Sequence, residues 1–136
     1  MAHAGHEGTF HRLTVVPMMT ALENLGRMLA KAEVYAADKK IDPLTLLNAR
    51  LYPDMYSLIQ QLQYCLFLPA DFARHFVAEP PPKIGYEEKS FADVHAGIAL
   101  ATAYLGSVSA ARMDDRAGEI VPTFFDASQG LSLIHI

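Results

Sequence analysis

Apolar side chains recur every three or four residues through three long stretches of this chain, and that periodicity leaves few folds open. The first stretch runs Leu13, Val16, Met18, Ala21, Leu22, Leu25, Met28, Leu29, Ala32, Tyr35 and Ala36, with Glu23, Arg27, Lys31 and Asp38 off the stripe. The second runs Met55, Leu58, Ile59, Leu62, Cys65 and Leu66, continuing to Phe72 and Phe76; the third runs Phe91, Val94, Ile98, Ala101, Leu105 and Val108. A helix with one apolar stripe must bury it against another element, so three of them predict an all-α, up-and-down helical bundle with successive helices antiparallel. No segment alternates convincingly enough to predict a strand.

Local signals set the expected boundaries. Pro17 falls early in the first stripe, and Phe10 and Leu13 extend that stripe backwards, so a kinked helix from about Thr9 is expected. In Ile41-Asp42-Pro43, Asp42 suits the N-cap and Pro43 the first helical position, while Ile41 and Leu46 stand at the hydrophobic-staple positions. This helix must be short, because the residue before Pro53 is pushed out of the α region. Pro53 is then expected to open the second long helix, with Asp54 in its first turn and Pro69 as a kink inside it. Glu79-Pro80-Pro81-Pro82 ends that helix and begins a loop over residues 79–89. Ser90 and Asp93 have capping-box spacing at the start of the third long helix. After Ala111 the periodicity fades, and residues 116–130 read as loop or short extended segment.

At 136 residues the chain is one domain, expected over residues 9–130 behind a flexible tail at 1–8. An apolar fraction of 51% against 19% charged excludes a disordered chain. A net charge of −4 argues against nucleic-acid or anionic-membrane partners, which need a basic surface. The single thiol, Cys65, cannot form an internal disulfide, and no run is long or apolar enough for a membrane span or signal peptide, so a cytoplasmic protein is expected. The last six residues, 131–136, match the translation of a transposase-end sequencing adapter (CTG TCT CTT ATA CAC ATC), which would make them a sequencing artefact to be excluded from fold and site reasoning.

The stretch Lys40-Ile41-Asp42-Pro43, Leu47-Asn48-Ala49-Arg50-Leu51, Pro53-Asp54-Met55, Leu58 and Gln61-Leu62-Gln63 resembles an uncharacterised bacterial and fungal family, domain of unknown function number nineteen ninety-three, in the DinB/YfiT-like group of four-helix bundles. Val16-Pro17, Leu22, Asn24-Leu25, Leu29, Lys31-Ala32 and Ser90-Phe91-Ala92 are similar too, so the resemblance covers roughly residues 10–110. It implies three long helices plus a short one here, and a fourth long helix that this chain lacks. The segment Phe67-Leu68-Pro69-Ala70-Asp71 departs from the family pattern.

DinB-like relatives often hold a divalent metal with three histidines, one on the second helix and an i, i+4 pair on the fourth. The resemblance places the Gln61-Leu62-Gln63 region at the second-helix position, and glutamine is a poor ligand for zinc or nickel. No metal site and no cofactor are therefore expected. His75 and His95, on the second and third long helices, are read as boundary histidines before a ligand pair; His3 and His6 as tail residues; His11 as a first-turn residue. Cys65 sits on the apolar stripe, where a thiol behaves as a small hydrophobe. Asn48, Arg50, Asp54, Gln61 and Gln63 are the candidate motif residues. They either serve the backbone freed at the Tyr52-Pro53 break or line the mouth of an inter-helix pocket.

Two functional readings stay open. One is a protein without visible catalytic machinery that binds a small molecule between its helices and self-associates as a homodimer. The other is a DinB-like metal-dependent thiol transferase or hydrolase with its ligands on the fourth helix. Partly uncovered apolar stripes would also make residues 1–130 alone dimerise or aggregate.

Overall fold

A computed structural model describes residues 8–122 and 133–135. Its helices are α1 (Thr9–Lys39), α2 (Pro43–Leu47), α3 (Leu58–Ala73), α4 (Phe91–Gly106) and α5 (Ala110–Asp115). The packed body is the all-α bundle that the stripes predict. Beside it, the three-residue strands β1 (Ile120–Pro122) and β2 (Leu133–His135) pair antiparallel, with Val121 opposite Ile134. No strand is expected from the sequence, because a β-branched pair at Ile120 and Val121 is too short to show alternation. His3 and His6 lie outside the described residues.

α1 is one continuous helix with Pro17 inside it, closed by Lys40 in the left-handed region at φ 55°. Its buried line is Val15, Leu22, Leu29 and Ala36, seven residues apart, a seam narrower than the sequence stripe. Leu13, Val16, Met28 and Tyr35 are exposed, because α1 is covered mainly on the side of α4 and α5. α2 starts as predicted: Asp42 Oδ1 accepts from the Leu44 N–H at 2.9 Å, and Pro43 is the first helical residue.

α3 begins at Leu58, five residues later than Pro53 suggests. Residues 51–55 are turns, and Ser57 and Gln60 form the capping box, Gln60 Oε1 accepting from the Ser57 N–H at 2.9 Å. The box satisfies donors that Asp54 would have had to reach from an earlier start. Pro69 lies inside α3, as expected, but the helix ends at Ala73, before the proline run. α4 keeps its predicted box: Asp93 Oδ2 accepts from the Ser90 N–H at 3.0 Å, and Ser90 Oγ from the Asp93 N–H at 3.1 Å. The backbone N–H of Lys89 and the Ser90 hydroxyl hold the Asp93 carboxyl below its ordinary pKa. Every member of the third stripe is buried, including Val108 beyond the helix end.

α1 and α4 run antiparallel: Glu33 meets His95, Gly26 faces Ile98, and His11 reaches Val108. α3 and α4 run parallel instead. Gln63 bonds Glu88 just ahead of α4, Leu66 lies on Gly97, and Tyr104 late in α4 reaches Glu79 beyond the end of α3. Residues 74–90 carry the chain back to allow this, so the expectation of antiparallel neighbours fails at this pair. The core is built from Leu22, Leu29, Leu66, Val94, Leu105 and Met113, with Phe76 and Ile84 contributed by the return connection. Among the described residues no helix is long and apolar enough to cross a membrane.

Candidate functional site

The return connection is pulled tight against α3, and a cleft opens where the two meet. Gly85 makes the approach geometrically feasible. Its φ is +84°, and a Cβ there would stand 2.6 Å from the Gln63 carbonyl oxygen and 2.7 Å from Phe67 Cβ. Ile84, beside it, is buried. Gln63 Nε2 donates to the Glu88 carbonyl at 3.0 Å, and Glu88 Oε1 accepts from the Gly85 N–H at 2.7 Å. The Glu88 side chain is buried, and its Oε2 has no hydrogen-bond partner.

On the outer side of this strap lies a cleft of about 240 Å³, walled by Gln60, Gln63, Tyr64 and Phe67 from α3, Tyr56 from the turn before it, and Gly85 and Tyr86 from the strap. Tyr56 and Tyr64 have ring centroids 5.4 Å apart, and Phe67 and Tyr86 meet edge-on at 5.3 Å. The Tyr56 hydroxyl pushes the Tyr64 hydroxyl above its ordinary pKa. No charged side chain lines this cleft. It can hold a small, apolar-surfaced ligand against four rings.

Of the five motif residues, only Gln63 lines the cleft. Asn48 caps α2, its Nδ2 donating to the Leu44 carbonyl at 2.9 Å, and Arg50 Nη1 donates to the Met55 carbonyl. Gln61 Nε2 donates to the Tyr56 carbonyl at 2.9 Å, and Asp54 is exposed in the turn. The structure thus brings Arg50 and Gln61 to neighbouring carbonyls rather than to one site. Cys65 is exposed rather than in the core, being off the line Leu62, Leu66, Ala70 and Ala73 that α3 buries; partial desolvation still raises its thiol pKa. Sequence reasoning missed Tyr56, Gln60, Tyr64, Phe67, Gly85 and Tyr86. The signal was present in Gln60, Gln63, Tyr64 and Phe67, which share one helix face beside the Leu62–Leu66 stripe.

His75 and His95 do not form a pair. His95 Nε2 stands 3.0 Å from Glu33 Oε2 on α1, whereas His75 sits past the end of α3, where burial and then the Arg74 charge lower its pKa. His11 Nε2 lies 3.2 Å from the Val108 carbonyl. Among the described residues no three His, Cys, Asp or Glu side chains could together hold a metal ion. The side-chain NH2 groups of Gln61 and Gln63 both donate to backbone carbonyls. Amides are poor ligands for zinc or nickel, and these residues do not fit a resident metal.

An all-helical bundle of DinB-like architecture with an aromatic cleft on α3 is the class these features define. The family "Domain of unknown function (DUF1993)" matches residues 10–133, and the chain belongs to it. The chain is also similar to the crystal structure of a DinB family member from Shewanella denitrificans, with 28% identity and a TM-score of 0.75, covering 95% of this chain and 72% of that one. No curated protein matches.

Proposed function

We propose that this is a cytoplasmic small-molecule-binding bundle whose binding site is the Tyr56–Tyr86 cleft. The observation that carries the reading is the wall of four aromatic rings, which is concave, largely apolar and bordered by two amides. Its volume falls below the roughly 300–1,000 Å³ of drug-sized sites, so the ligand is compact. The lone exposed cysteine and the absence of any membrane-crossing helix among the described residues support the location. Exposed apolar side chains along α1, including Leu13, Val16, Met28 and Tyr35, support self-association as a homodimer.

A ligand-observed NMR screen of small fragments against the whole chain tests the site. Binders are expected to lose affinity when Tyr64 and Phe67 are replaced by leucine. A screen with no binder sensitive to these changes sinks the reading, and stoichiometric metal in the purified protein would favour the metal-dependent enzyme instead. Sedimentation that finds only monomer at high concentration removes the homodimer.

A further inference from the structure

Glu88 is the one described side chain that is buried and carries an oxygen with no hydrogen-bond partner. A buried carboxylate oxygen without a protein donor is costly and favours a positive charge nearby. No cationic side chain among the described residues pairs with Glu88: the described ion pairs are Arg27–Glu23, Arg74–Asp71, His95–Glu33 and Arg116–Glu119. Lys83 lines the adjoining groove, but it shares that groove with Glu87 and Asp93 as well as Glu88.

The carboxylate does not itself line the aromatic cleft, but it is bonded to a residue of the cleft wall. Glu88 Oε1 holds the N–H of Gly85 at 2.7 Å, and Gly85, which has no side chain to thicken the wall, lines the cleft. Gln63, also in the wall, holds the Glu88 backbone at 3.0 Å. A buried carboxylate bonded to the wall contributes negative potential there. The four rings that wall the cleft, Tyr56, Tyr64, Phe67 and Tyr86, supply the aromatic surface that a cation prefers.

Building on the small-molecule reading above, we infer that the cleft binds a compact organic cation, a quaternary ammonium of the choline type, held by the four rings and by the field of Glu88 behind Gly85. The methyl groups of such a cation match the apolar rings. It also asks for no hydrogen-bond acceptors, and Gln60 Oε1 already accepts from both the backbone N–H and the hydroxyl of Ser57.

The test is titration of the whole chain with choline and with its neutral tert-butyl isostere, followed by NMR. Choline is expected to bind at least about tenfold more tightly than the isostere. Glu88→Gln, which keeps an acceptor for Gly85, should weaken choline about tenfold and leave the isostere unchanged. Tyr86→Leu, at an exposed ring outside the core, should weaken choline without lowering the melting temperature, so a loss cannot be blamed on unfolding. Equal affinity for the two probes, or choline binding indifferent to both variants, overturns the cation while leaving the small-molecule site standing. Failure of both probes in a chain whose cleft still binds neutral fragments also overturns only the cation. Failure of every probe and fragment removes the binding site altogether.

Discussion

The chain enters α3 through one connection and leaves it through another, and the two are built on different principles. The entry, residues 48–57, is rich in polar side chains and almost wholly exposed. Leu51 is 88% exposed, and Asn48 and Arg50 donate to nearby carbonyls. The exit, residues 74–90, looks like a proline-broken linker, yet Phe76, Ile84 and Glu88 are buried within it and it is tied to both α3 and α4. Polar residues at a helix break usually repair backbone. Each connection buries one polar side chain, Ser57 in the capping box of α3 and Glu88 behind the cleft, but only the exit also buries large apolar ones, Phe76 and Ile84.

The contrast can be broken most forcefully at Gly85. Gly85→Ala must adopt positive φ and drive a Cβ into the Gln63 carbonyl, so a loss of about 3 kcal/mol is expected in urea unfolding. A loss below about 1 kcal/mol would show that the exit is no tighter than an ordinary loop. The paired truncations come next. Ile84→Ala, at a residue 3% exposed, should cost about 2–4 kcal/mol, while Leu51→Ala should stay within about 0.5 kcal/mol. Similar values for the two would erase the distinction.

Arg50→Ala sharpens the entry side. It removes a donor to the Met55 carbonyl in an exposed turn, and about 0.5–1 kcal/mol is expected by the same measurement. The smallest effect concerns pH at the start of the exit. The pKa of His75 is lowered in the folded chain, so the unfolded chain takes up the proton more readily. Stability from this group is therefore complete above the ordinary histidine value of 6.5 and declines as pH falls below it. His75→Asn should flatten the fall of melting temperature between about pH 7 and 5, and an unchanged slope would remove His75 as its source.

Much of the fold was legible because it rests on local codes. Asp42-Pro43 and Ser90…Asp93 start helices through contacts within four residues, and the third stripe lies wholly in the core because α4 is covered on two sides. The start of α3 was misplaced because Pro53 and Asp54 carry a helix-opening signal that the Ser57–Gln60 box overrides. The α1 stripe was read too broadly because periodicity shows which side chains can be buried, not which neighbours arrive to bury them. The cleft was mostly illegible for the same reason. Its α3 face has helical period, but Gly85, Tyr86 and Glu88 join it only when the chain has turned back. Nothing local to residues 79–89 announces that Ile84 will be inside.

The antiparallel pairing of α1 with α4 also bears on how the chain acquires its shape. His11 contacts Val108 across a separation of 97 residues, and Glu33 contacts His95 across 62. Most of the cover for the Val15–Ala36 seam of the longest helix therefore comes from α4 and α5, the last helices of the described chain. Distant pairings of this sort slow folding and lengthen exposure to aggregation.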